Sequence, residues 1–170
     1  MPEPKLPKQK KVYDPQDLNP CQGCSNCCEY IATQIDRPTT ANDFDQVIWY
    51  LIHKDVWVYV DEENDWYIQF NTVCEKLNNR RCGYYVSRPN ICREYEPEHC
   101  IRYGAGESEK HLFKDEIDFF RYLAKKKPKT FQKIRKKINI PYTEKELLQL
   151  KGHDSEKQAQ PVGIHVDHHG

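Results

Sequence analysis

The chain has 170 residues, a formal net charge of zero, 38% hydrophobic and 31% charged residues, and a mean hydropathy of −0.92. That length suits one domain with tails, and the apolar fraction falls below the ~45–50% usual for a soluble domain, so a small core rich in aromatics (11 Tyr, 6 Phe, 3 Trp) is expected. Zero net charge offers no global attraction to nucleic acid or an anionic membrane, and no run of ~18 apolar residues is available to span a bilayer.

Residues 1–16 read as a flexible leader, with Pro2, Pro4, Pro7 and Pro15 set among lysines and no apolar segment of the kind a signal peptide needs. Eight cysteines in a chain without an export signal are expected to stay reduced in the cytosol, where disulfides are rare. Four disulfides would need an oxidising compartment.

A cysteine-rich metal-binding domain is expected over residues 17–103. It opens with Cys21-Gln22-Gly23-Cys24-Ser25-Asn26-Cys27-Cys28, four thiols in eight residues. A core helix gains nothing from four small thiols in two turns, and a strand gains nothing from Gly23, Ser25 and Asn26. A metal, in contrast, needs soft thiolates converging from a tight backbone. Cys27 and Cys28 are neighbours, and in extended backbone their side chains would diverge toward different partners.

Tyr30–Thr33 suggests a short extended run that Arg37-Pro38 breaks. A helix is predicted over about 40–53: Thr40 or Asn42 caps it, Asp43 suits its first turn, and Phe44, Val47, Ile48, Leu51 and Ile52 form its apolar stripe. His53 at its end reads most simply as a cation beside the C-terminal dipole. Val56–Val60 and Trp66–Phe70 then predict a β-hairpin over 56–70, with the acidic link Asp61–Asp65 as its solvated tip; that link lacks the spacing and glycine of a calcium loop.

The remaining thiols follow as Cys74, Cys82, Cys92 and Cys100. Asn78-Asn79 marks a turn, Gly83–Val86 reads as a short strand, and Arg88-Pro89-Asn90 as another turn. Arg88 and Arg93 have two readings: guanidinium groups beside a thiolate site, or solvated turn residues. His99, next to Cys100, could substitute for a thiolate ligand, although a solvated turn residue is the simpler reading.

Gly104-Ala105-Gly106 suggests a hinge before a helical extension over 107–151. Phe113, Ile117, Phe120 and Leu123 share one face of a helix ending before Pro128. A basic helix carries Phe131, Ile134 and Ile138 inward, and Thr143 and Glu146 form a capping box opening a third helix over Glu144–Leu150. The basic stretch 125–137, with Lys125, Lys126, Lys127, Lys129, Lys133, Arg135, Lys136 and Lys137, could meet RNA, DNA or an acidic protein partner, but in a chain of zero net charge reads first as a solvated helix face. Residues 152–170 read as a disordered tail in which His165, His168 and His169 could bind metal adventitiously.

The fold class is therefore α+β, with short helices and a β-hairpin around cysteine-bearing turns. Eight thiolates allow two four-cysteine zinc sites mixing both blocks, or one iron–sulfur cluster with four cysteines left over. Cys21, Cys24, Cys27, Cys28, Cys74, Cys82, Cys92 and Cys100 are all candidate ligands, the first block acting as one jaw of a clamp closed by the second. No phosphate-binding, dinucleotide or hydrolase motif is present.

The CxxCxxCC string at Cys21–Cys28, the later Cys82-Gly83-Tyr84-Tyr85, Arg88-Pro89 and Cys92-Arg93-Glu94-Tyr95, and Cys100 together resemble the YkgJ-type CxxCxxCC cysteine-cluster family over about residues 20–103. That family is described as zinc- or iron-chelating, so the resemblance implies metal chelation. The flagellin lysine N-methylases, much longer proteins, carry a related cysteine block, which makes an iron–sulfur redox or group-transfer enzyme the alternative.

Overall fold

The computed structural model describes residues 25–95 and 109–150. A single 3-10 turn at Asn26–Cys28 leads into strand β1 (Ile31–Ile35), then helix α1 (Ala41–Leu51) and the hairpin of β2 (Val56–Val60) and β3 (Trp66–Phe70). A two-residue ribbon, β4 (Leu77–Asn78) with β5 (Arg81–Cys82), and a one-turn helix α2 (Asn90–Arg93) carry the second cysteine block. Strand β6 (His111–Phe113) and helices α3 (Glu116–Lys126), α4 (Pro128–Ile138) and α5 (Glu144–Gln149) complete the described chain. The α+β class is as expected.

Helix α1 starts where its sequence prescribes. The Thr40 hydroxyl accepts the Asp43 amide while the Asp43 carboxylate accepts the Thr40 amide, a reciprocal cap that satisfies two orphan donors. Its stripe of Phe44, Val47, Ile48 and Leu51 is buried. Ile52, placed on the same stripe by periodicity, lies past the helix end and is 60% exposed.

The β2–β3 hairpin forms as expected and is the centre of a four-stranded antiparallel sheet in the order β1-β3-β2-β6. The register pairs Val58 with Ile68 and Val60 with Trp66 on the face that meets the helices, and Tyr59 with Tyr67 on the other, where their rings stack at 4.9 Å. At the hairpin tip Asp61 is not the solvated residue expected. It is buried, and its carboxylate accepts the Asp65 amide at 2.8 Å, while Asn64 takes a positive φ of 71°.

The periodicity around Phe113 misleads. Its spacing from Ile117 and Phe120 fits a helix, yet Phe113 ends β6 and pairs with Val58. Asp115 caps α3 by accepting the Asp118 amide, so the helix begins only at Glu116, three residues after Phe113. Strand and helix point their side chains into the same core, which is why helical spacing is mimicked. Phe119, outside the expected stripe, is fully buried among Phe44, Trp66, Phe113 and Tyr122.

Pro128 occupies the first turn of α4, where its missing N–H costs nothing. Asn139, left-handed at φ 51°, ends the helix before Pro141. Phe131 and Ile134 are buried as expected, but Ile138 is 36% exposed, and Ile140 and Leu147 take the inward places instead. The Thr143–Glu146 capping box is present. Residues of α1, β2, β3, β6, α3, α4 and α5 contribute to one continuous apolar cluster.

Candidate metal centre

The cysteine blocks meet because of strand pairing. In the antiparallel β1–β3 ladder Ile31 lies opposite Phe70, so the chain entering β1 and the chain leaving β3 emerge at the same end of the sheet. Cys28 is three residues before the first pair and Cys74 four residues after it. The Cys74 amide donates to the Cys28 carbonyl at 2.7 Å and joins the two blocks directly.

Around Cys28 the backbone is a tight turn, with the Cys28 amide on the Ser25 carbonyl at 2.7 Å and the Glu29 amide on the Asn26 carbonyl at 3.0 Å. The buried Ser25 hydroxyl donates to the Glu29 carboxylate across it. This geometry overturns the expected divergence of Cys27 and Cys28. The backbone is not extended there, and the two side chains hydrogen-bond each other. A 3-10 turn advances each residue by about a third of a revolution, which keeps adjacent side chains within reach.

On the other side, Leu77 donates to the Cys74 carbonyl at 2.9 Å, and the chain then folds into the β4–β5 ribbon, which places Cys82 opposite Leu77. The reversal is at Asn79-Arg80, both with positive φ (47° and 60°), rather than at the expected Asn78-Asn79. A two-residue connection matched to strand twist demands left-handed residues at both positions. Gly83–Val86 forms turns, not the expected strand. Gly83 donates to the Lys76 carbonyl at 2.7 Å, and a Cβ at Gly83 would sit 3.1 Å from that oxygen, closer than side chains ordinarily come.

Arg88 and Arg93 fit neither expected role. Arg88 donates to the Tyr85 carbonyl at 3.0 Å and lies 3.9 Å over the Tyr85 ring. Arg93 donates to the Arg88 carbonyl at 2.7 Å and the Val86 carbonyl at 3.3 Å. The two guanidinium groups tie down the loop that carries Cys92, whose amide donates to Pro89. His53 keeps its simple reading, its Nδ1 2.7 Å from the Trp49 carbonyl at the end of α1.

Cys28, Cys74, Cys82 and Cys92 are outside any disulfide, and the last three lie near enough to Cys28 to act on it electrostatically. Burial pushes the Cys28 thiol above its ordinary value; the hydrogen bond with Cys27 opposes this, and Cys74, Cys82 and Cys92 each push it further up by charge repulsion. Clustered thiolates that repel one another are the donor set a soft or borderline cation stabilises, so the chemistry fits zinc or iron. Among the described residues no three His, Cys, Asp or Glu side chains stand ready-converged on one point. Cys21, Cys24 and Cys100 lie outside the described residues, as do His99, Gly104–Gly106, His165, His168 and His169.

The energetics of this region differ from those of the rest. Every described residue from 71 to 95 is exposed or half-buried, including Val73, Tyr84, Tyr85, Val86 and Ile91, whereas the core elements bury whole side chains. Ordering a residue costs about 1–2 kcal/mol in backbone entropy, and here no buried apolar side chain offsets it.

Among the described residues the α+β fold brings Cys28 of the first cysteine block beside Cys74 of the second. The sequence profile of the CxxCxxCC family, described as a "putative zinc- or iron-chelating domain", matches residues 20–118, and the chain belongs to that family. The match reaches past the second cysteine block, through β6 and into the first turn of α3. No curated protein and no solved structure matches the chain. Among the described residues no helix is long and apolar enough to cross a membrane.

Proposed function

We propose that the protein binds zinc as a cross-link between its two cysteine blocks, with Cys28, Cys74, Cys82 and Cys92 as one four-thiolate set. Cys21, Cys24, Cys27 and Cys100 make up the remaining donors. The observation that carries this is the 71–95 segment, which follows a defined path with no buried side chain of its own. A tetrahedral ion held by four thiolates supplies the missing constraint and cancels much of their repulsion. Zinc is favoured over a cluster because a redox-silent structural ion suits a site whose support is turns and a two-residue ribbon. Thiolate ligands require a reducing compartment, and the cytosol is the one proposed. A bound ion would serve as the cross-link; the chain supplies the thiolate donors, the close Gly83 approach and the arginine-braced Cys92 loop.

The test is metal analysis of protein purified without oxygen, together with Cys82→Ser and Cys92→Ser. Stoichiometric zinc in colourless protein, reduced in both variants, is expected. A brown protein absorbing near ~400 nm would replace zinc by an iron–sulfur centre, and unchanged metal in both variants would overturn the ligand set.

A further inference from the structure

From Lys76 to Arg93 the chain carries five cations (Lys76, Arg80, Arg81, Arg88, Arg93) and no carboxylate. A dication with four thiolates bears two net negative charges, too few to neutralise them. Glu75 and Glu94 bound the stretch, so over 75–94, a small cationic knuckle, five cations stand against two carboxylates, a local excess of three positive charges in a protein that is neutral overall.

Two further observations say that this knuckle is more than a solvated loop. The first is backbone strain. Asn-Gly is the favoured pair in a two-residue reversal because both positions need positive φ; this chain holds Arg80 at φ 60° in the place that suits glycine. A long cationic side chain is thereby held, exposed, at the tip of the reversal. The second is apolar exposure beside it. Tyr84 is 51%, Tyr85 63% and Val86 89% exposed, three successive residues following Cys82-Gly83. Tyr and Arg together are the side chains that dominate protein–protein contacts.

We infer that the knuckle formed by β4, β5 and the following turn is a docking surface for an acidic protein segment bearing apolar side chains. Arg80 and Arg81 would meet its carboxylates, and Tyr85 and Val86 its apolar groups. Nucleic acid fits less well. Lys76 lies 4.9 Å over the Tyr84 ring and Arg88 lies over that of Tyr85, so one face of each ring is already occupied where a base would stack. This goes beyond the metal reading, on which it rests only in that the ion steadies the knuckle.

The test is fluorescence anisotropy of the full chain, zinc-loaded, with a labelled peptide of Glu and Asp interspersed with Leu. A Lys-for-Glu version of the peptide and a labelled oligouridylate are the comparisons. Salt-sensitive binding of the acidic peptide alone is expected. Arg80→Gly combined with Arg81→Gln should weaken it about tenfold, two exposed ion pairs at the strong end of their range, and Val86→Ser should weaken it separately. Arg80→Gly relieves the left-handed position, so it should leave metal content unchanged and thermal stability equal or higher. A purely structural arginine would give the same stability result with no loss of binding. Equal binding of both peptides, unchanged affinity in the arginine double variant, or preference for oligouridylate would overturn the inference. Metal content measured on the same samples separates this failure from that of the zinc reading, because the peptide assay reads out with or without the ion.

Discussion

Removing the metal should loosen residues 71–95 and leave the rest of the protein folded. The basis is the division of burial. Val58, Phe44, Phe119, Leu123, Phe131, Ile134 and Leu147 are fully buried, all outside the knuckle, and each contributes about 1.5–3 kcal/mol of gross apolar stabilisation that chelation does not touch. The segment is tied to the rest by the Asn71 amide and side chain, which donate to the Asp55 carbonyl, and by the Cys74–Cys28 backbone hydrogen bond. With free zinc at a hundredfold excess over its dissociation constant, linkage adds about 2.7 kcal/mol to the states that bind it. Amides whose exchange requires knuckle opening, such as those of Leu77, Gly83 and Cys92, should therefore be protected about 100-fold more with zinc than with a chelator. Those of β2, β3 and α3 should change by no more than a few-fold. Hydrogen exchange by mass spectrometry, with and without chelator, reads both segments in one experiment. Collapse of protection across β2, β3, α3 and α4 would refute the division, and equal exchange in 71–95 under both conditions would refute a metal cross-link there.

Phe119→Ala should cost about 3–5 kcal/mol in denaturant unfolding, since the ring is fully buried against four aromatic neighbours; a loss below about 1 kcal/mol would contradict the packing. Gly83→Ala should weaken zinc binding without altering the core's unfolding midpoint, because its Cβ would stand 3.1 Å from the Lys76 carbonyl oxygen and push the β4–β5 ribbon out of place; zinc competition titration decides. Asp43 is held at about 2 by the amides of Thr40 and Thr39 and the Thr40 hydroxyl. A carboxylate depressed in the fold stabilises it above its unfolded value and loses that contribution as pH falls through about 2. Helix α1 should accordingly loosen at its first turn between about pH 4 and 2, a step that Asp43→Ala should lack when followed by amide NMR. Lys137→Ala, which removes an exposed ion pair with Asp45, should change stability by less than about 1 kcal/mol.

Local chemistry was readable where one short stretch holds the whole cause. Thr40 with Asp43 and Thr143 with Glu146 announce their helices because each cap closes within four residues. The hairpin is legible for a similar reason: two runs of β-branched and aromatic residues flank a polar link. Where side chains from different elements share one core, spacing alone misled, as at Phe113, a strand residue with helical spacing. Arg93 escaped both readings because its partners, the carbonyls of Val86 and Arg88, are set by a loop path that composition does not encode.

By itself, the amino-acid sequence determined the kind of chemistry: thiols at metal-binding spacing, and a core of aromatic and branched residues too small to cover the cysteine turns. Only the tertiary structure decided which of the described cysteines lie side by side in the backbone. Cys28 and Cys74 are 46 positions apart in the chain, and what brings them together is the pairing of β1 with β3 across an intervening helix and strand. In that ladder β3 is anchored by Trp66 and Ile68, buried in the core shared with α1, α3 and α4, while β1 is exposed or half-buried throughout. The adjacency of Cys27 and Cys28 likewise depended on a backbone turn that their order in sequence leaves open.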